Sequence, residues 1–317
     1  MVDRDTLDRR VRGVLAASRP RALRHGCWAV AVGTTHIPYH GRPLDDEDEL
    51  FRSQAKGGTT RSHAYATAFA TRNGLRFTRA ILPVRGHTPM HEVVRELRRR
   101  VAAAGVRVRR LLLDRGFDTA GVVRYLQAAR PRFVMPQVVH GKKPRSGILK
   151  GLRLIRATHP TGWTTYTWTP AQQRAVTVDL CVVRRRRKRR HGHRAFLYAC
   201  GGVRMSARGV YRTRFGIETS YRQMNQLRVR TCTRNPALRL RFVAVALILR
   251  NRWAWLHWVV LSVRVPGGRR LRLKVLRLRT MARWLLHRTE QLLGWIDHTV
   301  ANHPPDEPLV NKRRLQA

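Results

Sequence analysis

The chain has 317 residues, 43% of them hydrophobic, enough for one large domain or two small ones with a full core. Its 65 Lys and Arg face only 18 Asp and Glu, a formal net charge of +47 that excludes an acidic or neutral surface. Such a charge binds polyanions through counterion release almost whatever the fold, and nucleic acid leads over an anionic membrane as the partner.

Cys27, Cys181, Cys200 and Cys232 are widely spaced, which excludes a C-x-x-C zinc site and a disulfide framework. No apolar stretch of the secretory kind follows Met1. The most apolar run, Phe242 to Leu249, is interrupted by Arg250 and Arg252 before it could span a bilayer. A soluble, cytoplasmic protein with no membrane partner is expected.

Residues 4–18 predict a basic amphipathic helix with Leu7, Val11, Val14 and Leu15 on one side. Cys27 to Val32 reads as a buried strand entering the turn-like Ile37-Pro-Tyr-His-Gly41, and Asp45 to Glu49 as an acidic loop. Ala64 to Thr71 and Arg76 to Pro83 predict strands joined through Asn73-Gly74, a favoured hairpin turn. A helix over 90–104, apolar at Val93, Val94, Leu97 and Val101, stops at Gly105. Next come a strand from Val106 to Leu113, a helix over 119–129 and a strand from Arg132 to Pro136. Strand–strand–strand–helix–strand–helix–strand is the order of a mixed α/β core. Short alternating runs over 150–205, around the basic string Arg184 to Arg190, predict an all-β insertion with a charged hairpin. Helical periodicity returns at 209–229, 236–262 and 279–299, and Pro304-Pro305 and Lys312-Arg-Arg mark a tail.

One carboxylate stands among arginines in Tyr211-Arg-Thr-Arg-Phe-Gly-Ile-Glu218-Thr-Ser-Tyr-Arg222. At helical spacing Tyr211, Arg214 and Glu218 share a face that Arg222 and Asn225 continue. A carboxylate can ligate a divalent metal, and an arginine and a phenol beside it can hold a phosphate. The plainer reading is a Glu218–Arg222 ion pair on a helix surface. Asp114, in Leu111-Leu-Leu-Asp114-Arg-Gly-Phe117, ends a buried strand, where open α/β sheets present side chains to a crevice. Its plainer reading is a turn or N-cap aspartate.

The ordered segments Ile37-Pro-Tyr-His-Gly41, Ala55-Lys56-Gly57-Gly58-Thr59, Leu111 to Phe117 and Tyr211-x-x-Arg214-x-x-x-Glu218 resemble the DDE transposases of bacterial and archaeal insertion sequences. The branch is the one with a β-strand insertion before the catalytic glutamate, and Arg234-Asn-Pro and Leu249-Arg-Asn-Arg-Trp253 extend the match. The resemblance implies a ribonuclease-H-like mixed sheet over 25–139 and 209–262, a β-strand insertion at 140–208, and a helical extension and tail over 263–317. Residues 1–24 would be the remnant of a longer DNA-binding region. It also implies metal-dependent phosphodiester cleavage and strand transfer on Mg²⁺ or Mn²⁺. Asp114 and Glu218 match the second and third acids, and Tyr211 and Arg214 match the tyrosine and arginine of the tyrosine–arginine–glutamate–lysine signature. The implied partner is double-stranded DNA, as terminal inverted repeats and target, with a homodimer on paired ends and a nucleoid-associated location. No heptad or self-complementary patch argues for the dimer independently.

Two positions depart from the pattern. The first acid, in a segment like Asp-x-Thr-x-Ile-Pro-Tyr, falls on Gly33, and the signature lysine falls on Asn225. Glycine offers no ligand, so the expectation is a transposase fold with little or no strand transfer, or a non-catalytic DNA-binding remnant. Arg184, Arg185, Arg186, Arg187, Lys188, Arg189 and Arg190, with Arg222, are the residues read as DNA-binding. Trp163 and Trp168 are weighed between base stacking and core.

Overall fold

The structure, a computed structural model, describes residues 3–17, 26–42, 44–72, 75–139, 148–186, 193–203, 206–266 and 268–295. The chain divides into two compact units, residues 1–272 and 273–317.

The first unit opens with helix α1 (Arg4–Ala17) and continues with strands β1 (Trp28–Pro38), β2 (Phe51–Lys56), β3 (Thr59–Arg72) and β4 (Leu75–Val84). Helix α2 (Met90–Ala103), β5 (Val108–Leu113), α3 (Ala120–Ala129) and β6 (Phe133–Pro136) follow. β1 pairs antiparallel with β3 and parallel with β5, and β5 pairs parallel with β6. β3 carries β2 and β4 on its other side. Val30, Ala31 and Val32 are all buried, as are Leu111, Leu112 and Leu113, so both faces of the central strands are covered. On one face Ala31, Phe69, Leu112 and Val134 form a core with side chains of the helices that follow residue 206.

The segment 148–203 supplies α4 (Gly151–Thr158), β7 (Gly162–Trp168), β8 (Val176–Arg186) and β9 (His193–Gly201). β9 pairs antiparallel with β6, and β8 and β7 follow it, so these strands continue the main sheet. Helices α5 (Ala207–Arg212), α6 (Gly216–Leu227) and α7 (Pro236–Val259) come next, then the hairpin of β10 (Val263–Val265) and β11 (Gly268–Arg270). The fold is the expected mixed α/β sheet with helices and a helical C-terminal part. The second unit contributes α8 (Leu278–Leu292).

Four local readings change, the first being that helix α4 (Gly151–Thr158) lies within the stretch 150–205 read as all-β. β1 runs through Ile37 and Pro38, which pair with His63 and Ser62 instead of turning. Phe51 to Lys56 forms a strand whose mostly polar side chains give no apolar alternation to detect. The helix read over 209–229 breaks into α5, a 3₁₀ turn at Thr213–Phe215 and α6. The Asn73-Gly74 turn lies outside the described residues, and β3 and β4 pair down to Arg72 opposite Leu75.

Candidate functional site

The parallel register sets Val32 beside Leu113, so Gly33 and Asp114 follow at the same level where β1 and β5 run out of pairing. Above them lie the 3₁₀ turn and the first turns of α6. Arg214, in that turn and only 4% exposed, forms an ion pair from Nη2 to Asp114 Oδ2 at 2.7 Å and donates a hydrogen bond from Nη1 to Glu218 Oε1 at 2.6 Å. One guanidinium therefore bridges both carboxylates, a use of the planar fork that lysine could not copy. Asp114 also caps the turn at Arg115–Phe117, its Oδ1 accepting from the Arg115 N–H at 2.7 Å. Glu218 pairs with Arg214, four residues earlier, and not with Arg222 as the surface-pair reading had it.

Tyr211 is buried beneath this bridge, with the Arg214 guanidinium 5.6 Å from its ring centroid. Burial pushes the Tyr211 phenol well above its ordinary value. Burial works against the charge of Arg214, but Tyr211, Asp114 and Glu218 outweigh it and its pKa is raised. The arginine stays charged.

Gly33 pairs with Thr67 across β1 and β3. A Cβ there would lie 3.2 Å from the Tyr221 hydroxyl and 3.3 Å from Ile217 Cδ1, so these two side chains of α6 would have to yield by a few tenths of an ångström to admit one. Tyr221 and Thr67 share a 2.6 Å hydrogen bond between hydroxyls. Arg76, at the start of β4, donates to the Gly216 carbonyl at 3.2 Å and feels the charge of Glu218. Any Cβ on residue 216 would sit 1.9 Å from Arg76 Nε, so a side chain there would displace the Arg76 guanidinium from its present place. Sequence reasoning passed over Arg76 and Tyr221. Tyr221 was accessible as the residue one turn beyond Ile217 and Glu218, whereas nothing in the sequence links Arg76 to a site 140 residues away.

The site as built does not fit a divalent cation. Two carboxylate oxygens accept from N–H donors and a third is ion-paired with Arg214, the guanidinium occupies the position between the two acids, and Gly33 supplies no ligand. The remaining oxygen, Glu218 Oε2, is buried and accepts no hydrogen bond among the described residues. Among those residues no group of three or more His, Cys, Asp or Glu is placed to hold a metal ion.

The basic residues fare differently. Arg184 turns back on α4, donating from Nε to the His159 carbonyl at 2.7 Å, while Arg185 and Arg186 are exposed at the end of β8. Arg187, Lys188, Arg189 and Arg190 lie outside the described residues. Arg222 is exposed on α6. Trp163 is 42% exposed, and Trp168 stacks on Tyr166 with centroids 5.6 Å apart. No described helix is long and apolar enough to cross a membrane.

The sheet and the helices packed on it are similar to a transposase fold. The chain is similar to a piggyBac transposase, in a structure described as its synaptic complex with hairpin DNA, with a TM-score of 0.50 and 12% identity. The similarity covers 89% of this chain and 59% of that one, so the chain spans less than two thirds of the neighbour's length. At that identity the likeness is one of fold. No protein-family model matches the sequence, and no curated protein does.

Proposed function

We propose that this chain is a DNA-binding protein on a transposase-type fold whose carboxylate site does not cleave or join strands. The observation that carries the reading is the Arg214 bridge beside Gly33. A guanidinium between Asp114 and Glu218 pairs with both of the acids that a DDE-type site would leave open for Mg²⁺ or Mn²⁺, and the first acid of that pattern is replaced by Gly33. For strand transfer Asp114 and Glu218 would have to release Arg214, and a further ligand would have to replace Gly33. Tyr211 then acts as packing beneath the bridge, and Arg214 as its centre.

DNA as partner is supported by the charge of +47 and by the hairpin DNA in the similar piggyBac structure. Exposed Arg185, Arg186 and Arg222 belong to this reading as phosphate contacts. So do element ends and target DNA as natural ligands, and two copies on two paired ends. The insertion-sequence branch and residues 140–208 as its insertion are part of the same proposal.

The test uses the full chain and labelled duplexes with and without the element's terminal repeats. Binding is expected to weaken steeply with salt, with no nicked or joined products in Mg²⁺ or Mn²⁺. Asp114→Ala is expected to change affinity by less than about twofold, because it removes one negative charge and no phosphate contact. Divalent-metal-dependent cleavage by the unaltered protein, lost in Asp114→Ala, would establish the active transposase instead. The buried, unbonded Glu218 Oε2 is the one feature that favours that second reading.

A further inference from the structure

At the end of β5 opposite Asp114 the surface opens into a groove of about 900 Å³. Seven residues separate the two ends, about 20 Å along an extended strand, so the groove is distinct from the carboxylate pair. Arg98 and Arg99 reach it from the last turns of α2, Arg107 and Arg110 from the entry to β5, and Arg130 and Arg132 from the link between α3 and β6. Among the described residues no Asp or Glu lines it.

Arg99 is held by Glu96 at 2.7 Å, and Arg95, which also lines the groove, lies 3.9 Å from Glu92. The other five have no carboxylate within ion-pair distance among the described residues; Arg98 instead donates to the Tyr125 hydroxyl at 2.8 Å. Arg107, Arg130 and Arg132 are exposed. The cations crowd one another: burial first, then Arg109 and Arg132, lower the pKa of Arg110. Arg130 adopts φ +49, a left-handed conformation that glycine or asparagine takes at less cost after a helix.

Guanidinium groups gathered in a concave wall focus a positive field that their dispersal over a convex surface would not. The kind of anion follows from what else faces the groove. Both α2 and α3 end here, so they present carbonyl ends and no ring of free N–H groups to grip a compact phosphate. Recognition must come from side chains spread over three elements, which suits an extended string of phosphates. We infer that this groove is a second seat for the phosphodiester backbone of duplex DNA, independent of base sequence and separate from the Asp114–Arg214–Glu218 cluster. The inference rests on the DNA-binding reading and adds a face to it.

The experiment compares two triple variants with the unaltered chain on a random-sequence duplex across a salt series. Arg107→Gln/Arg130→Gln/Arg132→Gln empties the groove of exposed charge, and Arg252→Gln/Arg264→Gln/Arg270→Gln removes as much charge elsewhere. Each lost contact flattens the slope of log affinity against log salt by about 0.9, so the groove triple is expected to lose roughly 2–3 of slope and at least about tenfold in affinity. The control triple is expected to change by less than a third of that, and Arg→Lys at the three groove positions to keep most of the slope. Equal losses in the two Gln triples would overturn the groove while leaving DNA binding intact. Weak, salt-insensitive binding by the unaltered chain would overturn the DNA reading itself. If the guanidinium groups served only the helix carbonyl ends, the groove triple would melt earlier with an unchanged slope, which also overturns the seat. Should the triple fail to fold, Arg132→Gln alone carries the test, with an expected slope change of about 0.9.

Discussion

Asp114 and Glu218 arrive from distant segments, and a single guanidinium holds them both. Carboxylates brought this close repel unless a cation lies between them, and Arg214 is that cation within the chain itself. Gly33 is the counterpart of this arrangement. With no side chain on β1, α6 settles close to the strand, and Ile217 and Tyr221 take the room. Gly33→Asp should therefore act as an overpacking substitution, costing about 1–3 kcal/mol in urea unfolding. Trimming Ile217 to Ala in the same chain should recover part of that loss, so the double variant costs less than the sum of the single costs. A Gly33→Asp chain as stable as the parent would show that the space is open and that the position has lost a ligand and nothing more.

At the scale of elements, the segment Leu249-Arg-Asn-Arg-Trp253 fastens α7 to β4. The Asn251 amide accepts from the Thr78 N–H and donates to the Thr78 carbonyl, both at 2.9 Å, taking the place of a neighbouring strand. The register of β3 and β4 skips Arg79 at this point, and the buried Arg250 guanidinium caps the Arg76 carbonyl close by. Asn251→Ala leaves two buried backbone groups without partners and should cost about 2–3 kcal/mol, read as a lower denaturant midpoint with an unchanged slope. Asn251→Asp should rescue little, since it can no longer donate to the carbonyl. Arg234-Asn-Pro has a similarly local role: Asn235 accepts from the N–H groups of Ala237 and Leu238, and Pro236 opens the helix.

These contacts mark the limit of what the sequence discloses. Helix α2, strands β3 to β6 and the end of β5 at Asp114 are written in local periodicity and in Gly105. The residues Tyr211, Arg214 and Glu218 could be singled out by spacing. The 3₁₀ turn between them could not, because a short tightening of the helix preserves enough of the 3.6-residue period to look continuous. Nor could the Arg214 bridge, since spacing offers Glu218 both Arg214 and Arg222 and only the approach of β5 decides between them. Asn251 meets Thr78 across 173 residues, a pairing that no local pattern encodes.

For the molecule as a whole, 18 acids must serve 65 basic side chains, so each carboxylate matters more than it would on a balanced surface. Asp8 takes Arg100 in a two-point contact at 2.7 and 2.8 Å, tying α1 to α2, and Glu96 holds the same arginine at 2.7 Å. Arg99 and Arg100 hold the Glu96 carboxyl down at about 2, with its hydrogen bond to Arg99 the largest cause. Its stabilising effect is therefore complete above pH 4.5 and is lost as pH falls toward about 2. His63 acts earlier. It lies buried in β3, edge-on to Tyr39, and burial, then the charges of Arg239 and Arg4, depress its pKa from 6.5 to about 4. Above pH 6.5 folded and unfolded chains both carry it neutral. Below that the unfolded chain takes up the proton first, so stability falls through the window from 6.5 to about 4, by about 3 kcal/mol in all. The urea midpoint should be flat above about pH 7 and then decline in two overlapping stages. His63→Gln should remove the upper stage and leave the lower, and Glu96→Gln should do the reverse. A midpoint that stays level from pH 7 to 5 in the unaltered chain would mean that His63 takes up its proton inside the fold, where Arg4 and Arg239 oppose it.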